Sequence, residues 1–199
     1  MESPPHYLVH QGRFRIPVLR NVVEYAGIVL WWMLGSYAIT SLGHNGLWAS
    51  MVVIAGCWTK SIFFGRENLQ QLYDAARSDL SHHRFLLLMA INMTQMILSF
   101  ALDFHLLYLI DPSAFLGIGM DLPMAEVLFD FFYLSTLNFS FFGYSEILPQ
   151  TIPAKLVNLT EIVLAFITVI FLLSDFVSLK DSLRSSGGSS GGPSGAKAT

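Results

Sequence analysis

Four stretches of about twenty apolar residues constrain this chain more than anything else in it. Lipid offers no partner to a backbone N–H or C=O, so a run of that length crosses hydrocarbon as a helix. The first runs from Val22 to Leu42 and is closed by the turn-forming string GHNG, Gly43 to Gly46. The second, Leu47 to Phe64, is near the minimum length, and the third, Phe85 to Ile110, is long enough to tilt. The fourth, Lys155 to Val177, carries one acid near its start, Glu161. Only 13% of the 199 residues are charged, about half the share in soluble domains. The sequence therefore predicts an all-α membrane protein with four transmembrane helices.

Composition also excludes functions. A net charge of -3 with a pI near 6.0 provides no basic surface for nucleic acid. The one cysteine, Cys57, rules out an internal disulfide or a cysteine-rich metal site and reads as a small buried residue. No segment is large enough for a separate soluble enzyme. Asp103, His105, Asp130 and Glu161 are the ionisable candidates for chemistry inside the membrane, and they form no recognised catalytic pair. The reading is a non-enzyme without a cofactor.

Arginine and lysine orient the spans. Arg13, Arg15 and Arg20 precede the first, Lys60, Arg66, Arg77 and Arg84 bracket the second-to-third connection, and Lys180 and Arg184 follow the fourth. Only Lys155 lies on the other side, where the acids Asp103, Asp111, Asp121, Glu126, Asp130, Glu146 and Glu161 gather. By the positive-inside rule both termini and the 65–84 connection are cytoplasmic, 111–153 faces outward, and the protein sits in a plasma or inner membrane. The opening ESPPHYLVHQGRFRIP is too polar and proline-rich for a signal peptide, so the first span reads as a permanent anchor.

The 65–84 connection places Leu69, Leu72, Tyr73, Ala76 and Leu80 at helical spacing, an amphipathic surface helix. His82 and His83 are adjacent and lack the spacing of a zinc pair. Lys60 reads as snorkelling to the headgroups. Trp31, Trp32, Trp48 and Trp58 are placed to meet headgroups or neighbouring helices. The tail SSGGSSGGPSGAKAT is a Gly/Ser-rich linker of the kind appended for expression. Three Asn-x-Ser/Thr strings begin at Asn92, Asn138 and Asn158, all inside membrane elements, which argues against glycosylation.

Between the third and fourth spans, Asp121 can cap a helix whose first turn holds Pro123 and Glu126. The apolar run Val127 to Phe139 is too short to cross and long enough to reach mid-membrane. The chain after Phe139, with Gly143, Ser145, Pro149 and Pro153, must return as an extended strand, tolerated at depth only inside protein or along water.

FYLSTLNFSFFGYSEILPQTIPAK followed by an apolar helix with an early Glu resembles the pore of the tetrameric potassium channels. There a pore helix ending in a Ser/Thr-rich turn leads into TVGYG, an acid and a proline. Tyr133, Ser135, Thr136 and Leu137 match the end of the pore helix, Gly143 and Tyr144 the central Gly-Tyr, and Glu146, Pro149 and Glu161 the acid, the proline and the inner-helix acid. The likeness covers about 45 residues, Phe131 to Phe176. It implies a homotetramer, with 85–177 as pore domain: outer helix, re-entrant pore helix, filter loop and inner helix. Residues 1–21 would be a cytoplasmic segment, 22–64 two peripheral helices and 178–199 a cytoplasmic tail.

The resemblance further implies passive conduction of K+, and of Na+ if selectivity is weak, past backbone carbonyls of Phe141, Phe142, Gly143, Tyr144 and Ser145, with K+ sites at the first four. Thr136, Ser140, Glu146 and Glu161 would support the filter and shape its outer mouth. Phe141 replaces a threonine whose hydroxyl completes the innermost ion site, Phe142 a smaller aliphatic residue, and Ser145 the outer glycine. These departures bear on potassium selectivity rather than on conduction. Neither of the first two spans has the recurring arginines of a voltage sensor. Ala165 stands near the family's hinge glycine, and Ser174 and Asp175 are expected at the inner mouth. Gating would come from the filter, the lipid, tension or an unidentified regulatory partner. Two other readings stand beside the channel: a weakly selective or non-conducting pore-loop protein, and an accessory membrane subunit.

Overall fold

A computed structural model describes residues 18–42, 46–77, 82–119, 121–142 and 146–187, with side chains over 20–41, 46–67, 69–70, 86–119, 121–142 and 146–173. The helices are α1 (Val18–Leu42), α2 (Gly46–Arg77), α3 (His82–Ile110), α4 (Met124–Ser140) and α5 (Ile152–Gly187). Two short strands, β1 (Phe115–Leu116) and β2 (Leu148–Pro149), flank α4. α1, α2, α3 and α5 are each long and apolar enough to cross a membrane, over Arg20–Ser41, Gly46–Glu67, Leu86–Ile110 and Ile152–Leu173. These are the four expected spans, and the architecture is that of a helical integral membrane protein.

Burial ranks the spans. The apolar window of α3 is 56% buried within the chain and that of α1 only 6%, so α3 is the centre and α1 the periphery. α1 packs on α3, α2 on α3 and α5, and α4 lies against both α3 and α5.

Two helices outrun their hydropathy. α2 continues to Arg77, so most of the expected separate surface helix is its extension. Glu67, Leu69, Gln70, Leu72, Ala75 and Ala76 are sound helix formers, and nothing after Phe64 stops the helix where the apolar run does. The side chains of Leu72, Tyr73, Ala76, His82 and His83, and all of Leu80, lie outside the described residues. α5 begins at Ile152, which puts Pro153 in a helical first turn instead of in the extended return. Proline is favoured there because its missing N–H has no partner to lose. α5 runs unbroken past Ala165, which is fully buried, to Gly187. The side chains of Ser174 and Asp175 lie outside the described residues.

The segment between α3 and α5 is tied at its two ends. Asp111 accepts from the N–H and hydroxyl of Ser113, at 2.9 and 2.6 Å, and caps a 3-10 turn over Pro112–Ala114. β1 then pairs antiparallel with β2, Phe115 opposite Pro149 and Leu116 opposite Leu148, and the Gln150 N–H donates to the Ala114 carbonyl. The chain thus leaves for α4 and comes back at one place, where α3 finishes and α5 starts. Gly117 (φ +96°) makes this closure fit: a Cβ there would lie 2.2 Å from the Glu146 carbonyl oxygen. Neither the conformation nor the space admits a side chain.

α4 begins later than expected. Pro123, in extended backbone, is its N-cap residue, and no side chain, Asp121 included, caps the helix; the residue before a proline is disfavoured in helical backbone, which suits a start after Pro123. Glu126 does lie in the first turn. Phe131, fully buried, anchors α4 among Phe104, Phe115, Tyr108 and His105, with ring centroids 4.9 to 6.5 Å away.

Candidate functional site

α4 runs down beside α3 and stops partway. Phe131 sits level with Phe104 and Tyr108, and one turn on the Ser135 hydroxyl donates to the Ile97 carbonyl at 2.9 Å. Ile97 is about 20 Å along α3 from Ile110 at about 1.5 Å per residue, near the middle of that span. The C-terminal half of α4, whose last unpaired carbonyls carry partial negative charge, therefore lies level with the middle of α3.

A polar network fixes that end. Glu161 of α5 is completely buried and its carboxylate accepts from the Ser135 hydroxyl and, at 2.6 Å, from Asn138 Nδ2. The second Asn138 amide proton goes to Asn158 Oδ1 at 2.9 Å. Asn138 and Asn158, read from sequence only as unused glycosylation strings, are structural members of the site. Their signal was available: Ser135 and Asn138 on α4, and Asn158 and Glu161 on α5, are polar pairs three apart in otherwise apolar helices, each pair on one face.

The expected filter starts directly below. Phe141 is the C-cap of α4, its N–H donating to the Asn138 carbonyl, in left-handed backbone at φ 55°. A non-glycine residue there costs about 1–2 kcal/mol, and a T-shaped ring contact with Phe166 of α5, centroids 6.3 Å apart, holds it. Phe142 is 77% exposed among the described residues. Gly143, Tyr144 and Ser145 lie outside the described residues. The Thr136 and Ser140 hydroxyls each donate to the carbonyl four residues back, Phe132 and Thr136 respectively. Glu146 is exposed and makes no side-chain hydrogen bond or ion pair among the described residues.

A second buried cluster corrects the reading of Lys60. Its ammonium does not snorkel: Nζ lies 2.6 Å from Asp103 Oδ1, with the two side chains 19% and 2% exposed. An opposite charge on the neighbouring helix is a nearer partner than the headgroups. Two residues on, His105 Nδ1 accepts from Trp32 Nε1 at 3.1 Å, tying α1 to α3, and Trp58 Nε1 donates to Thr160, tying α2 to α5. Trp48 is exposed and Cys57 is buried. Asp103 and His105 are thus engaged with Lys60 and Trp32, and Asp130 is partly buried on α4. At the far end Arg20 pairs with Glu24 and with Glu67, at 3.4 and 2.7 Å, and Gln95 Nε2 donates to Glu24. Glu67, buried there, was not among the sequence candidates. No group of three or more metal-ligating side chains exists among the described residues.

No protein-family model, curated protein or solved structure matches this chain.

Proposed function

We propose that the chain is the subunit of a homotetrameric, potassium-channel-like channel that passes monovalent cations through a filter built from residues 141–145. The observation that carries this reading is the half-depth helix α4, fastened to α5 by Glu161, with its negative end at mid-membrane and its flanks joined by β1 and β2. Four such ends around an axis would hold a cation electrostatically, and the carbonyls that follow would replace its water. Exposed Glu146 suits an outer mouth, where four copies would concentrate cations. In this reading both termini are cytoplasmic and the 111–151 region faces outward.

A specific observation favours weak over strict potassium selectivity. The residue in the threonine place, Phe141, brings no hydroxyl and turns its ring to Phe166, and the next residue, Phe142, is left bare. Reconstitution of the purified chain in planar bilayers with opposing potassium and sodium gradients tests both. We expect a cation current whose reversal potential lies between zero and the potassium value. A reversal at the potassium value refutes weak selectivity. Absence of current together with a monomeric mass in detergent refutes the channel and leaves the accessory subunit.

A further inference from the structure

Between α1 and α2 runs a crevice of two adjoining hollows that share Glu24 and Phe63 in their walls. The outer one, about 410 Å³, lies near the start of α1, and the inner one, about 340 Å³, extends toward the middle of the helix. Their characters differ. Arg20 and Arg66 stand at the outer hollow with Glu24 and Glu67, whereas the inner is walled mainly by Gly27, Ile28, Trp31, Phe63 and Phe64, with Lys60, paired to Asp103, also on its wall. Trp31 rests its ring against Gly56 of α2, where a Cβ would come within 2.6 Å, so the helices touch at the inner end. From Arg20 to Trp31 is about 16 Å at about 1.5 Å per residue, close to half of an about 30 Å hydrocarbon core. The crevice is therefore one leaflet deep.

Charge selects the occupant. Glu24 and Glu67 are sunk beneath Arg20, their side chains 12% and 8% exposed, and Arg20 pairs with both. Arg66 is exposed and in no ion pair among the described residues, so its guanidinium is open to an anionic group at the rim. Below it, a Cβ on Gly27 would meet nothing within 4 Å, which leaves the apolar wall open along its length.

We propose that this crevice binds one anionic phospholipid per chain, its phosphate on Arg66 and one acyl chain along Gly27, Ile28 and Phe63. A charge-assisted contact at the rim distinguishes the site from ordinary lipid contact on the rest of α1. The inference stands on the crevice alone and does not require the channel reading.

Native mass spectrometry of the full chain, delipidated in detergent and titrated with phosphatidylglycerol or phosphatidylcholine, tests it. We expect one tightly held phosphatidylglycerol per chain, favoured about fivefold over phosphatidylcholine. Arg66→Gln should abolish that preference without abolishing lipid binding, and Gly27→Leu, which fills the open wall, should reduce the occupancy of both lipids. Unchanged preference in Arg66→Gln, unchanged occupancy in Gly27→Leu, or full displacement of the lipid by inorganic phosphate each overturns the proposal. Arg66 is exposed, so its variant keeps the test standing should Gly27→Leu lose helix content.

Discussion

Two of the buried acids, Asp103 and Glu161, fasten helices of this bundle by different chemistry. Asp103 on α3 meets a full positive charge, Lys60 on α2, at 2.6 Å. Glu161 on α5 meets only neutral donors, the Ser135 hydroxyl and the Asn138 amide of α4. An ion pair in hydrocarbon is all or nothing, since removing one member strands the other. A carboxyl among hydroxyls and amides can be replaced by anything that offers the same donors and acceptors. α2 is thus held to the central helix α3 by charge, and α4 is held to α5 by hydrogen bonds.

The largest effect should come from splitting the ion pair. Lys60→Met or Asp103→Asn leaves a charge without its partner and should destabilise the fold by about 3–5 kcal/mol. Loss of helical circular dichroism on titration with denaturing detergent measures it. The double variant Lys60→Met/Asp103→Leu should recover most of that loss. A double variant as unstable as either single one would show that the charges are needed for more than each other.

The same contrast explains what could be read in advance. Length and hydropathy located the four spans and the half-length helix, because both depend on the local run of residues. Glu161 was legible as an acid inside the fourth span, but its pairing with Ser135 and Asn138 was not. Nor was the Lys60–Asp103 pair, since a lone charge in an apolar helix carries no sign of which neighbouring helix it will face. Hydropathy also marked the end of the membrane segment at Phe64 and not the end of the helix, which Arg66 to Arg77 continue without a break. The β1–β2 closure depends on a two-residue pairing across the whole α4 excursion, and only Gly117 hints at it.

A smaller effect is expected at the second acid. Glu161→Leu keeps the Ser135 bond to the Ile97 carbonyl and the Asn138 bond to Asn158, but it leaves one Asn138 amide proton buried without an acceptor. That should cost about 1–3 kcal/mol in the same denaturation. In the proposed channel, a fall in cation current beyond the loss of folded protein would tie the network to the filter, whereas current that tracks folded protein would make it a fold contact only.

The smallest effect should be Glu161→Gln, and it decides the comparison. Ser135 has one hydroxyl proton and two acceptors in reach, the Ile97 carbonyl and the 161 side chain. A glutamine amide can donate to the Ser135 oxygen, freeing that proton for Ile97, while its carbonyl accepts from Asn138. Every buried polar atom keeps a partner, and the cost should stay below about 1 kcal/mol. The parallel change at the other acid, Asp103→Asn, preserves shape equally well and should cost several times more, because no amide neutralises Lys60. Equal losses in the two amide variants would mean that Glu161 works as a charge after all, and its role would then lie with a cation in the proposed pore and not with the helix beside it.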